Sequence, residues 1–254
     1  MLHYRYDGSF DGLLNCISRA HELGEIPDSV STDDCSGELF AESVTVVTDS
    51  VRAQELSDKI RTAASWDCLR AMICGYLSEI PGIEKHVLAY GLLALRYGRN
   101  ISRHLTEDPV LKVMQAGRKV GLEVQRLKGM VRFKELSGGL YYAQIEPDHR
   151  VLELLSWHFS HRFASQKWMI HDIRRGDALY YNGSKAEIIG IVEQPPEIRP
   201  LLAEDELLYE RLWKGYFKII AIAGRKNPRL QKQFMPERYW KYLIEKEDEN
   251  PSGG

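Results

Sequence analysis

GMVRFKELSGGLYYAQIEPDHRVLELLSWHFSHRFASQKWMIHDIRRGDALYYNGSKAEIIGIV, residues 129–192, decides the fold class. Gly129 marks a change of hydrophobic period. Met130–Leu136 and Leu140–Glu146 alternate around Ser137-Gly138-Gly139, a hairpin signal that places glycine where a positive φ is needed. His149–Phe163 then has helical spacing, with Asp148 as its expected N-cap. Two strands follow, Trp168–Asp172 and Asp177–Tyr181, separated by Arg174-Arg175-Gly176. Asn182-Gly183 turns the chain into a last strand, Ala186–Val192. This β-β-α-β-β-β order with short connections predicts a small antiparallel sheet.

On the N-terminal side of this block, residues 65–128 are helical almost throughout. Pro81-Gly82 separates two helices and Asp108-Pro109 opens a third. Before them come a strand at Leu2–Tyr6, a helix from Ser9 to Leu23 capped by Ser9, and a polar loop over residues 24–42. A strand at Val44–Thr48 and a helix capped by Asp49 or Ser50 and running toward Ala63 complete the start. On the C-terminal side, residues 201–242 return to helical spacing, broken at Asn227-Pro228 and Met235-Pro236. The expected architecture is therefore α+β, with a small antiparallel sheet, a helical middle and a helical C-terminus. It is organised as a single unit over 1–254 with sub-regions 1–128 and 129–243 and a flexible tail at 244–254.

At 254 residues, with 44% hydrophobic and 28% charged residues, the chain has an ordinary globular balance. No apolar run reaches the roughly 20 residues of a membrane span. The start MLHYRYDGSFDGLL lacks a basic stretch followed by an apolar core. The expectation is a cytoplasmic protein with no membrane contact. Cys16, Cys35, Cys68 and Cys74 fit neither a zinc site nor a disulfide framework, and reduced thiols are expected.

The net charge of −2 is unevenly spread. Residues 211–241 carry nine Lys and Arg against one acidic residue, and residues 101–186 carry fourteen against nine. Residues 187–210 are acidic, with seven Asp and Glu against one Arg. The basic blocks can form a phosphate-attracting patch, unless the acidic stretches fold back onto them.

No phosphate-binding loop, dinucleotide glycine turn, zinc-peptidase helix, nucleophile elbow or iron–sulfur cysteine cluster occurs in the chain. No metal and no cofactor is expected. The basic and aromatic residues are the more distinctive feature. Arg225, Lys226, Asn227, Arg229 and Arg238 lie among Phe234, Tyr239 and Trp240, while Arg126, Lys128, Arg132 and Arg175 form two further clusters. Cations would hold the phosphate backbone and rings would stack on exposed bases, provided the rings do not instead bury as core. Four histidines fall between residues 149 and 171. With the flanking carboxylates they make Asp148, His149, His158 and Asp172 weak acid–base candidates, and Trp168 or Tyr180 a candidate base-stacking surface.

The ordered words GMVRFKEL, YYAQIEPDHRVLELLSWHFSHRF, WMIHDIRRGDALYYNG and LWKGYFKIIAIAGRKNPRLQKQFMPERYWKYL resemble the bacterial DUF4130 family, most specifically over residues 126–243. That resemblance implies a process rather than a reaction. The family is described as DNA-metabolism proteins, found beside a radical SAM protein of DNA modification or repair and sometimes fused to a uracil-DNA glycosylase-like domain. It supplies no catalytic residues.

Three readings follow. The first is a DNA metabolism or repair protein that binds nucleic acid through the nine basic-cluster residues and acts with a radical SAM or glycosylase partner. The second is a protein–protein adaptor for that partner, without nucleic-acid contact, whose acidic N-terminal segment and aromatic C-terminal helices form the interface. The third is an enzyme acting on a damaged or modified base.

Overall fold

The computed structural model describes residues 1–32, 42–191, 197–220, 222 and 227–249. The chain divides into two units, Met1–Gly121 and Leu122–Gly254.

The first unit is built on three short parallel strands. β1 (Leu2–Arg5) lies between β2 (Ser29–Ser31) and β3 (Glu42–Thr45). β1 leads into α1 (Phe10–Leu23), whose Ser9 cap accepts a hydrogen bond from Gly12 N, and Gly24 ends that helix in the left-handed region. This helix between β1 and β2 is what lets the two strands run parallel. α2 (Ser50–Ala63) is capped by Asp49, as expected, and α3 (Trp66–Leu77) by Ser65. α4 (Ile83–Tyr97) starts after the Pro81-Gly82 break, and α5 (Asp108–Met130) opens at Asp108-Pro109. Tyr4, Leu13, Leu14, Ile17, Ile60, Met72 and Leu88 form the centre of the core. Cys16, Cys68 and Cys74 are free and buried, and Cys35 lies outside the described residues.

The second unit holds a five-stranded sheet in chain order: β4 (Lys134–Leu136), β5 (Leu140–Ile145), β6 (Lys167–Asp172), β7 (Asp177–Tyr181) and β8 (Ala186–Gly190). The predicted hairpins are present. Gly138 and Gly139 adopt positive φ between β4 and β5, and Asn182 Oδ1 accepts from Ser184 N and Lys185 N in the turn before β8. Trp168 forms the centre of this core, fully buried and stacked on Tyr181 at 5.3 Å.

The α+β class holds, and the purely antiparallel sheet does not. β5 and β6 pair in parallel because α6 (Leu152–Arg162) carries the chain back across the sheet between them, and the N-terminal sheet is parallel throughout. Four further details differ. β2 sits inside the stretch expected to be a loop, since three residues with only Val30 apolar leave no periodic signal. α5 runs on to Met130, so the strand expected from there is confined to Lys134–Leu136. Asp148 does not cap α6, which begins after Val151 without a side-chain cap. Ile244–Glu249, expected as flexible tail, is a 3-10 turn with Ile244 and Lys246 buried.

Among the described residues, no helix is long and apolar enough to cross a membrane, and no group of His, Cys, Asp or Glu is placed to hold a metal ion.

Candidate functional site

Glu123, on α5 and only 2% exposed, is the polar centre of the second unit. Its carboxylate accepts from Asp148 N at 2.9 Å, His149 N at 3.0 Å and Arg238 Nη2 at 3.3 Å, and from the Tyr239 hydroxyl in a short bond. Burial, and then the Glu123 carboxylate, push the Tyr239 phenol upward, so it donates and stays neutral. Arg238 also reaches Asp148 Oδ2 at 2.8 Å. The hub thus ties the loop after β5 to the C-terminal turns. It assigns Asp148 and His149 a structural role through their backbone amides.

The parallel strands β5 and β6 end side by side at a second polar group. Asp172 is buried and accepts from Arg174 N at 3.1 Å, Arg175 N at 3.4 Å and Arg175 Nη1 at 2.8 Å. Burial raises its pKa even against the Arg175 charge. Arg175 also donates to the carbonyls of Pro147 and Asp148. Next to Asp172, the buried His171 shares a 2.7 Å hydrogen bond with the Tyr142 hydroxyl, and burial lowers its pKa. Glu146 pairs with Lys241 and accepts from the Tyr242 hydroxyl at 2.9 Å. The Lys241 bond is the main reason its pKa is lowered. Each carboxylate here is already engaged by protein donors. His158 stands apart on α6, half-buried, its pKa lowered by burial and then by Lys128 and Arg162. The four acid–base candidates therefore do not converge on one open cavity.

The basic candidates separate in the same way. Arg132 makes a two-pronged pair with Glu245, at 2.7 and 3.3 Å, donates to the Gly129 and Val131 carbonyls, and lies over the Trp213 ring. Arg132, Arg175 and Arg238 are thus engaged inside the unit. Arg126 donates to the Gln233 carbonyl at 3.1 Å, which joins α5 to α8 (Pro228–Phe234). Asn227 caps α8 by accepting from Leu230 N, and Arg229 on that helix is exposed. Lys128 is half-buried on α5, while Arg225 and Lys226 lie outside the described residues. Trp168 is core, with Phe133, Phe159 and Tyr181 around it, so it offers no stacking surface; Tyr180 is half-buried.

The feature missed by sequence reasoning is the orientation of α7 (Glu206–Ile220). Its inward side is largely polar. The buried Glu206 accepts from Glu135 N at 2.9 Å, Glu210 pairs with Lys134 at 2.8 Å, and Trp213 Nε1 donates to Glu245 at 2.9 Å. Its outward side is apolar: Leu208, Tyr209, Leu212, Tyr216, Ile219 and Ile220 are 47–84% exposed. At 100° per residue, Leu208, Leu212, Tyr216 and Ile219 fall within about 80° of one another, a single stripe. Beside it Arg132, Phe133, Tyr209, Trp213 and Ile244 line an open groove of about 530 Å³. The signal was present in the sequence as an unusually wide apolar arc on 206–220, wider than one packing face requires.

The family described as a domain of unknown function, DUF4130, matches residues 81–245, more than half of the chain. The chain belongs to the DUF4130 family. No curated protein and no solved structure matches it. The DUF4130 match contains the Glu123 hub, the five-stranded sheet and α7, together with the Arg132–Glu245 pair at its end. The β1–β3 sheet lies outside the DUF4130 match.

Proposed function

We propose that this DUF4130 protein is an accessory protein of DNA metabolism whose second unit docks a partner protein through α7. The observation that carries this reading is the outward apolar stripe of α7. A helix normally buries its apolar arc and exposes its polar one. Here the inward side is tied down by Glu206, Glu210 and Trp213, and six large apolar side chains face water. Exposed patches of several hundred Å² mark interaction surfaces. Arg211, Lys214 and Lys218 flank the stripe, so the complementary partner is an amphipathic helix with acidic flanks. The DNA-metabolism assignment rests on the family resemblance, which also names the radical SAM protein as the partner to test.

The test mixes the purified full chain with that radical SAM protein and follows complex formation by gel filtration and calorimetry. A complex lost in the Leu212→Glu/Tyr216→Glu double variant is expected. No complex at about 50 μM, or one the double variant leaves intact, refutes the reading; a low-micromolar interface easily forms at that concentration.

A second reading, direct nucleic-acid binding, is favoured by one observation. The Arg126–Gln233 contact brings the Arg126 and Lys128 segment of α5 against α8, where Arg229 and Phe234 are exposed. It predicts oligonucleotide binding that weakens steeply with salt and is reduced in Arg229→Gln. A fluorescent single strand that fails to bind in about 20 mM salt eliminates it, because phosphate contacts are strongest at low ionic strength.

A further inference from the structure

The groove beside α7 is not a purely apolar surface. At 100° per residue, Glu206, Tyr209, Glu210 and Trp213 fall within about 100° of one another, and all four line it together with Phe133 from the segment before β4. Glu206 is only 8% exposed. One of its oxygens accepts from Glu135 N at 2.9 Å, and the other has no donor among the described residues. A carboxylate buried to this degree is ordinarily met by a cation or by several donors. The cations nearby are otherwise committed. Lys134 Nζ is 2.8 Å from Glu210 Oε1, an oxygen sealed from water. Arg132 is held by Glu245 and lies over the Trp213 ring.

The lining narrows the ligand. Glu135, Glu206 and Glu210 act on one another and share the ammonium of Lys134, three negative charges against one positive. The N-terminus of α7 offsets about half of one further charge. Burial raises the Glu206 pKa, and the charges of Glu210 and Glu135 add to this against the pull of the Glu135 amide and Lys134. Among the described residues no group of carboxylates is placed to hold a metal ion. What adjoins these carboxylates is aromatic. Tyr209 and Tyr216 are 60% and 55% exposed, and the Trp213 and Tyr216 rings are 5.9 Å apart. A carboxylate followed by ring faces suits an organic ammonium ion, whose head pairs with the carboxylate while its methylenes and further charges lie on the rings. Seven helical residues, about 10 Å, separate Glu206 from Trp213, so a chain fits this row better than a compact ion does.

We infer that this groove binds a linear aliphatic polyamine, with one ammonium on Glu206 and the carbon chain and a second ammonium along Tyr209, Trp213 and Tyr216. Its volume of about 530 Å³ is within the range of small-ligand sites. The inference does not rest on partner docking. Glu206 belongs to the inward side of α7, and Glu206→Gln leaves the outward stripe intact, so either reading can fail while the other stands.

The experiment is titration calorimetry of the full chain, in low salt, with spermidine, 1,4-diaminobutane, butylamine, N-acetyl-lysine methylamide and Mg²⁺. Spermidine is expected to bind, with butylamine at least about fivefold weaker for want of a second ammonium on the rings. Glu206→Gln weakens spermidine binding about tenfold or more, the loss of one charge-assisted hydrogen bond. Tyr209→Leu weakens it about threefold, the loss of one ring face. Far-UV circular dichroism confirms folding of each variant. Tyr209→Leu changes an exposed ring to a good helix former and carries the test by itself should Glu206→Gln not fold. The assignment is overturned if no amine binds at about 5 mM, a concentration that detects even the weakest specific ligands. It is equally overturned by a spermidine affinity that either folded variant leaves unchanged, or by displacement of spermidine by Mg²⁺ at equal concentration, the mark of unspecific charge attraction. Binding of the lysine amide as tight as that of spermidine overturns it too, and hands the groove to a lysine side chain of a protein.

Discussion

Replacing Glu123 by glutamine tests whether the second unit is organised around one buried carboxylate. The substitution preserves shape and changes two things. It removes the charge facing Arg238, and it turns one acceptor oxygen into an NH₂ group that must face a donor. Both oxygens are engaged: Oε1 by Asp148 N, Arg238 and Tyr239, and Oε2 by His149 N. Whichever way the amide is turned, a buried N–H is left against another donor, at about 1–3 kcal/mol. Loss of a buried ion pair by removal of one partner costs about 3–5 kcal/mol. The Arg238 side chain is 43% exposed and regains water, so that contribution belongs at or below the low end. A total of about 3 kcal/mol is expected. With m near 1.5–2 kcal/mol/M, the urea midpoint falls by about 1.5–2 M. Tryptophan fluorescence reports it well, since Trp157, Trp168, Trp213 and Trp240 all lie in the second unit. A loss below about 1 kcal/mol, within the range of an ordinary surface change, would mean that the hub does not hold the loop and the C-terminal turns together.

Four further outcomes are expected. Burial pushes the Glu245 carboxyl up, but its bonds to Arg132 and Trp213 outweigh this and hold it below its ordinary value. Its stabilising contribution is therefore present above the unfolded pKa of about 4.3 and lost as pH falls through the folded value, so Glu245→Gln should flatten the acid limb of a stability-versus-pH curve; an unchanged limb refutes this. Burial raises the Cys16 thiol to about 12, the Cys68 thiol to about 11, and Cys74 upward as well, so all three should react with a thiol reagent at pH 8 only after denaturation. Gly12→Ala should destabilise by about 1–3 kcal/mol in thermal melts, because its Cβ would meet Asp7 Oδ1 at 2.3 Å and Thr48 Oγ1 at 2.8 Å. Gly121→Ala on α5 meets nothing within 4 Å and should gain about 0.5–1 kcal/mol from helix propensity alone.

Much of the local structure was legible in the chain because its causes are local. The Ser9 and Asp49 caps, the helix start at Asn227-Pro228, the Gly138-Gly139 and Asn182-Gly183 turns, and the Asp177–Tyr181 strand all follow from residues within four positions of one another. The Asp148 cap failed for a non-local reason: its carboxylate is drawn to Arg238, ninety positions away. The candidate site was less legible. Arg132, Arg175 and Arg238 are equally basic as letters, yet each is held by a buried or half-buried carboxylate, which for Arg132 and Arg238 only folding brings near.

By itself the sequence determined the α+β class, the order of strands and helices in the second unit, and membership of the DUF4130 family. Periodicity, caps and turn residues act through neighbours along the chain. Tertiary structure alone decided that β5 and β6 run parallel, that Glu123 gathers donors from segments up to 116 positions away, and that α7 turns its leucines outward. Those outcomes depend on which surfaces meet and which charges lose their water together; the apolar arc on 206–220 is local, but the side of α7 that faces inward is not.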